Sequence, residues 1–255
     1  MKKVDILIVI ICPIIATIAT VLFSTNLFIS IFLYFGLPSL YIAIRNPGII
    51  TKSLSFALIF FIPLSLFFDT LSAINGAYII SNSIFPFRIF GISTIELYIY
   101  AFFWILFPIL FYEHFLDRGK KKDTLSSWTK YLFYGITVLA SAVVVFLYAN
   151  PDLLHIPYCY FIMALFFIFI TLVAFLLYYP KLILKYVFVA CYFFFFMFIF
   201  ELAALHNHQW IFPGQFIGMV SILHYQFPFE EFFFWMIFGT PAILMYYELF
   251  ADDRK

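Results

Sequence analysis

The sequence predicts an all-α polytopic membrane protein. Eight transmembrane helices are expected as two parallel four-helix repeats, related by a pseudo-twofold along the membrane normal. Three observations predict this. Of 255 residues, 66% are hydrophobic and only 11% are charged, against about 25% charged in a soluble domain. Apolar stretches of about 20 residues, the length that crosses a bilayer, follow one another with short polar breaks. A pattern of acidic and aromatic residues in the first half recurs in the second.

The first segment is expected near Asp5–Phe23. It is read as a retained helix, because no charge appears between Ile6 and Ile44 and no small-residue cleavage site is evident. After Ser24-Thr25-Asn26 comes the second, Leu27–Ile44, closed by the turn Arg45-Asn46-Pro47-Gly48. The third is Leu54–Gly76. The connection Ala77–Ser93 is apolar but broken by Asn82, Pro86 and Gly91, and the fourth segment is Thr94–Phe115. Residues 118–127 form a basic linker between a first repeat, 1–117, and a second, 128–255. The fifth segment is Trp128–Tyr148, ended by Asn150-Pro151, and the sixth Tyr158–Tyr178, followed by Pro180-Lys181. The seventh is Leu182–Leu205. The connection His206–Phe227 carries Pro213, Gly214 and Gly218, and the eighth segment is Pro228–Phe250. Both connections are apolar enough to dip into the bilayer where protein covers their backbone.

With the N-terminus inside, all of the 14 basic residues except Arg88 fall on the inner side. That asymmetry places both termini and the linker in the cytoplasm, as for a bacterial or archaeal cell-membrane protein. A net charge of +1 without a basic patch argues against nucleic acid. Cys12, Cys159 and Cys191 lack CxxC spacing and read as small core residues. His206, His208 and His224 lack HxxxH or HExxH spacing, so no metal is expected, and no GxGxxG turn suggests a dinucleotide.

Tyr112-Glu113-His114-Phe115-Leu116-Asp117 recurs as Tyr247-Glu248-Leu249-Phe250-Ala251-Asp252. Glu96 precedes Glu113 by the interval at which Glu231 precedes Glu248. Asp69 precedes Asn75, and Glu201 precedes Asn207, by equal steps, with Tyr78 matching Trp210. Asp69, Glu96, Glu201, Glu230 and Glu231 therefore share one depth zone near the outer boundary. Intramembrane acids are costly and usually functional. Glu113 and Glu248, about 26 Å further along their helices, read as interfacial ion-pairing groups. In Phe227-Pro228-Phe229-Glu230-Glu231-Phe232, proline and acids suit a helix first turn. The two glutamates point about 100° apart, and Glu231 is favoured for the interior because Glu96 holds the corresponding place.

Both halves resemble the integral-membrane lycopene cyclase family, the small-domain carotenoid cyclases found as heterodimers or tandem fusions and distinct from the flavin type. The second half supplies Glu201, Asn207, Trp210, Gly218, Pro228-Phe229-Glu230-Glu231 and Tyr247-Glu248. The first supplies Asp69, Ala73, Gly76, Tyr78, Gly91, Glu96 and Tyr112-Glu113, with Ser93-Thr94-Ile95-Glu96 in place of Pro-x-Glu-Glu. The resemblance implies cofactor-free, non-redox cyclisation of carotenoid ψ-ends to ionone rings, within membrane lipid and beside other carotenoid enzymes. It implies Glu231 and Glu230 as proton donors, with Glu96, Asp69 and Glu201 tuning or accepting the proton. Contacts to a hydrophobic polyene are expected from Asn75, Tyr78, Asn207, Trp210, Pro228 and Trp235. The donor must be a carboxyl that keeps its proton, and aromatic faces can steady a carbocation while excluding water. A membrane prenyltransferase would need clustered aspartates such as DxxxD, which do not occur. A proton-coupled transporter and a non-catalytic carotenoid-binding protein remain alternatives.

Overall fold

The computed structural model describes residues 2–89, 91–117 and 154–251, with scattered positions between 135 and 150. The linker 118–127, most of the fifth segment and Asp252-Asp253-Arg254-Lys255 lie outside the described residues. The described chain is mostly helical. Within it, six helices are long and apolar enough to cross a membrane: α1 (Lys3–Leu22), α2 (Leu27–Arg45), α4 (Ile95–Asp117), α5 (Cys159–Tyr178), α6 (Pro180–His206) and α7 (Glu231–Phe250). α3 (Ile50–Ile74) has 25 residues, and the shorter apolar helical stretch Pro47–Phe60 overlaps its start.

Local chemistry sets the helix ends. Asn26 caps α2 by accepting from Ile29 N at 3.0 Å, satisfying one of the amides that a helix start leaves open. α2, α4, α5 and α7 each contain a wider π-helical stretch, the one in α7 spanning Glu231–Gly239. Such stretches shift side chains off the 3.6-residue register and recur at functional sites.

The expectation of an all-α fold needs correcting at the two connections. Each folds back as a short antiparallel hairpin. β1 (Arg88–Ile89) pairs with β2 (Ser93–Thr94), and β3 (Met219–Ile222) pairs with β4 (Tyr225–Pro228). Apolar connections satisfy their backbone polar groups this way where water is scarce. Pro228, read from sequence as the first turn of a helix, instead ends β4 opposite Met219. Its missing N–H suits a strand end as well as a helix start.

The two connections also meet each other. Ile79 N donates to Ile211 O at 2.9 Å, and Ile211 N returns the bond to Ile79 O at 3.0 Å. Gly214 lies against this crossing, where a Cβ would sit 2.8 Å from Gly76 O and 3.0 Å from Ala77 Cα. The backbone there leaves no room for a side chain. α4 and α7 approach closely at Gly239, where a Cβ would meet Trp104 Cζ2 at 2.9 Å. The interior is aromatic: Tyr34, Tyr112, Tyr186, Tyr247, Phe35, Phe56 and Phe107 are among the largest fully buried side chains.

Gly214→Ala should therefore destabilise the protein by about 1–3 kcal/mol, the cost of overpacking a close approach. Thermal unfolding in detergent micelles measures it. Gly48→Ala, whose Cβ would have only Asn46 Oδ1 at 3.8 Å, should leave the transition within about 0.5 kcal/mol. Equal transitions for both variants would show that the crossing yields freely.

Candidate active site

α3, α4, α5, α6 and α7, together with the two connections, enclose one apolar cavity of about 300 Å³. Three carboxyl side chains line it: Asp69 from α3, Glu201 from α6 and Glu231 from α7. Each is buried, and each is met by an aromatic donor. Tyr78 Oη donates to Asp69 Oδ1 at 2.8 Å. Trp210 Nε1 donates to Glu201 Oε1 at 2.9 Å. Tyr160 Oη donates to Glu231 Oε2. Asp69 Oδ2 is buried with no hydrogen-bond partner among the described residues.

The local folding explains the first two pairs. Asp69 and Glu201 stand shortly before the ends of their helices, and the chain turns back at Asn75 and Asn207. Gly76 takes φ +61°, a conformation open to glycine. Each turn returns an aromatic residue, Tyr78 or Trp210, to the acid it has just passed. Burial, and then the Asp69 carboxyl, push the Tyr78 hydroxyl well above the usual tyrosine range, so it stays a donor.

Aromatic rings complete the walls. Tyr160 stacks on Trp235 with centroids 5.2 Å apart and planes at 17°. Trp235 lies 5.9 Å from Trp104, which stacks on Tyr100 at 6.2 Å. Tyr100 touches Trp210 at 6.4 Å, and Tyr78 touches Tyr160 at 6.2 Å. An electron-rich, largely apolar box of this kind attracts a cation by its ring faces.

Of the residues singled out from sequence, Asp69, Glu201, Glu231, Tyr78, Trp210 and Trp235 come together at the cavity. The others hold the connections. Glu96 Oε1 accepts from Ile84 N at 2.7 Å, and both its oxygens accept from Ser83 Oγ at 2.9 Å. Glu230 Oε1 accepts from Ile217 N at 2.7 Å. Glu96 and Glu230 thus occupy like places at the start of a helix behind a hairpin. The sequence-based pairing of Glu96 with Glu231 is displaced by one residue, because the helix after Glu230 carries one residue more before Glu248 than α4 carries between Glu96 and Glu113, and the wide π-helical stretch Glu231–Gly239 takes it up. Asn75 ties down the chain before α5: it donates to Leu154 O at 2.9 Å and accepts from Ile156 N at 2.7 Å. Asn207 does the same for the α1–α2 turn, donating to Thr20 O and Thr25 O. Pro228 ends β4.

Tyr160, Tyr100 and Trp104 were missed. Tyr100 and Trp104 follow Glu96 at steps of four, a helical stripe that the spacing does display. Tyr160 has no such signal. It lies in an ordinary apolar segment, and only the packing of α5 against α7 brings it to Glu231. Among the described residues no group of three His, Cys, Asp or Glu is placed to hold a metal ion.

At the opposite end of α4 and α7, two further acids are tied crosswise. Tyr112 Oη donates to Glu248 Oε1, and Tyr247 Oη donates to Glu113 Oε1. Lys52 Nζ donates to Glu113 at 3.2 Å and lies over the Tyr247 ring, while Lys185 Nζ lies over the Tyr112 ring. Ion pairing was expected for both acids. Glu113 has a lysine, and Glu248 is fully buried and accepts a tyrosine hydroxyl.

No family model, curated protein or solved structure matches this chain.

Tyr112→Phe and Tyr247→Phe each strip a buried carboxyl of a donor. Each should cost about 1–3 kcal/mol, read from denaturant titration in mixed micelles. Stability equal to the parent protein in both variants would mean that the crossed bonds contribute little.

Proposed function

We propose that the chain is a membrane carotenoid cyclase of the lycopene-cyclising kind, an intramolecular lyase or isomerase that closes ψ-ends to ionone rings. The observation that carries this reading is the convergence of Asp69, Glu201 and Glu231 with the rings of Tyr78, Tyr100, Trp104, Tyr160, Trp210 and Trp235 on one apolar cavity. Cyclising an alkene needs a strong, shielded proton donor, a surface that tolerates a carbocation and a base to finish. It needs no oxidant or reductant.

In the proposed reaction, Glu231 gives its proton to the terminal double bond of the chain. The resulting tertiary cation is attacked by a nearby double bond, and a carbon–carbon bond closes the ring. The new ring cation then loses a proton from an adjacent carbon to the carboxylate of Asp69 or Glu201, and the electron pair of the broken C–H bond forms the ring double bond. One proton enters and one leaves, so product and substrate are isomers. The faces of Tyr100, Trp104, Tyr160 and Trp235 steady the cation and keep out water that would trap it as an alcohol. Tyr160 orients Glu231. Glu230, bound to the Ile217 amide, positions its neighbour without reaching the cavity.

The same reading takes the chain as eight spans in two four-helix repeats, with both termini and the 118–127 linker cytoplasmic. The mutual Ile79–Ile211 bonds and the crossed Tyr112–Glu248 and Tyr247–Glu113 bonds support the pseudo-twofold, since exchanging the halves carries each bond into its mate.

Expression in a host that accumulates a linear ψ-ended carotenoid, with pigments resolved by chromatography, tests the activity. The parent protein should yield cyclic product. Glu231→Gln should lower it by at least about 100-fold, the low end of general-acid contributions, with membrane protein level unchanged. Glu230→Gln should lower it far less. Absence of cyclic pigment from well-expressed parent protein would overturn the reading, and full activity in Glu231→Gln would remove Glu231 as the donor.

A further inference from the structure

Ring closure leaves Glu231 without its proton and an acceptor carboxyl with a proton gained. Bulk water would restore both, but water beside the carbocation traps it as an alcohol. A path from acceptor to donor inside the protein resolves that conflict. Chains of ionisable side chains carry protons in this way inside membrane proteins.

Such a path needs groups that both take and give a proton. A phenol does both, whereas an indole N–H only donates. Two phenols connect two of the cavity acids. Tyr78 Oη donates to Asp69 Oδ1 at 2.8 Å, and Tyr160 Oη donates to Glu231 Oε2. The two rings meet edge-on, with centroids 6.2 Å apart and planes at 74°. All four side chains line the one cavity, and Asp69, Tyr160 and Glu231 are buried. The Tyr160 ring is fixed by Trp235, stacked at 5.2 Å, and by the edge of Phe216 at 6.2 Å. Glu201 stands apart from this arrangement. Its donor is Trp210 Nε1, so a proton placed on Glu201 has no onward route through that partner.

We propose that Tyr78 and Tyr160 are a proton-return relay from Asp69 to Glu231. The relay rests on the cyclase reading and assigns the acceptor within it. Before reaction Glu231 holds the proton and Asp69 is the carboxylate, whose Oδ2 has no hydrogen-bond partner among the described residues. Once the ring cation has given its proton to Asp69, that carboxyl turns from acceptor to donor toward Tyr78 Oη. Tyr78 passes its own hydrogen to Tyr160, directly or across one bridging water, and Tyr160 passes its own to Glu231. Asp69 ends as carboxylate, Glu231 as acid, and both phenols end neutral. The site neither gains nor loses a proton over a full cycle, so hydrogen taken from one chain end is given to a later one. Asp69 and Tyr78 come from the first half of the chain, and Tyr160 and Glu231 from the second, so neither half holds the whole relay.

The test is cyclisation of excess linear ψ-ended carotenoid by the full protein in phosphatidylcholine vesicles in deuterium oxide, with deuterium per ring read by mass spectrometry. Deuterium already on the relay is used in the first turnovers, and hydrogen from the substrate follows it. Over many turnovers the parent protein should place several-fold less than one deuterium in each ring. Tyr78→Phe and Tyr160→Phe should each raise this to one per ring and slow turnover, because water must then supply every proton. A phenol that only shapes the cavity would slow turnover and leave the isotope content low. Glu201→Gln should keep the low content. One deuterium in every ring made by the parent protein, a result that needs no variant to fold, would overturn the relay and leave the cyclase reading standing. So would low content that survives both tyrosine changes, or that is lost in Glu201→Gln and kept in Asp69→Asn. Absence of cyclic product from well-folded parent protein would remove the cyclase reading and the relay together.

Discussion

A carboxyl group buried among apolar helices must be satisfied by the protein itself, because lipid offers no hydrogen bond. Much of this structure answers that constraint. Asp69, Glu201 and Glu231 receive Tyr78, Trp210 and Tyr160, and Glu113 and Glu248 receive Tyr247 and Tyr112. The donor is an aromatic side chain each time, and four of the five are tyrosines. A phenol or indole carries its donor at the tip of a large apolar body, so it satisfies the acid without importing further polar atoms. The aromatic richness of the chain and its acidic residues are in this sense one feature.

The acids divide by what lies on their free side. Glu96 and Glu230 are enclosed by the connections whose amides they accept, and they fix where the hairpins sit. Glu113 and Glu248 are enclosed by the crossed tyrosines and hold α4 to α7. Asp69, Glu201 and Glu231 are held on one side only and border open apolar space on the other. A carboxyl that borders space can meet a reacting molecule, whereas one that carries a loop cannot move without releasing it. This division, more than residue type, separates candidate chemistry from scaffolding.

The helical membrane class and the rough bounds of six spans were legible in the sequence, since hydrophobic length is a direct consequence of burial in lipid. So was the recurrence of Asp69, Asn75 and Tyr78 as Glu201, Asn207 and Trp210, but not the hydrogen bond that each turn makes between acid and ring. The register of the two glutamates was not. Counting residues back from Glu248 carries Glu231 onto Glu96, but the wide π-helical stretch Glu231–Gly239 takes up one extra residue, so Glu230 is the acid that meets a connection amide as Glu96 does. Hairpins in apolar connections leave little periodic trace, and Pro228 suits a strand end and a helix start alike. Tyr160 was invisible because nothing local distinguishes it from its apolar neighbours; only the packing of distant helices gives it a partner.

The matched positions differ where they face the cavity, and the difference has chemical content. A phenol both donates and accepts a proton, whereas an indole N–H only donates. Asp69 and Glu231 are each bonded to a phenol, and those two rings, Tyr78 and Tyr160, lie 6.2 Å apart. Glu201 is bonded to an indole and has no onward route through it. Moreover, when Glu230 takes the place of Glu96, Leu97 falls opposite Glu231, so the first half offers no second donor at that point. Two identical halves would have presented equivalent acids to both faces of a reacting chain end, with nothing to decide which gives the proton and which takes it. Replacing a phenol by an indole on one side and a glutamate by a leucine on the other breaks that equivalence. Under the cyclase reading, Glu231 is then left as the donor and Asp69 as the acceptor, since Tyr78 and Tyr160 lie between them to carry the proton back and Glu201 has no such relay.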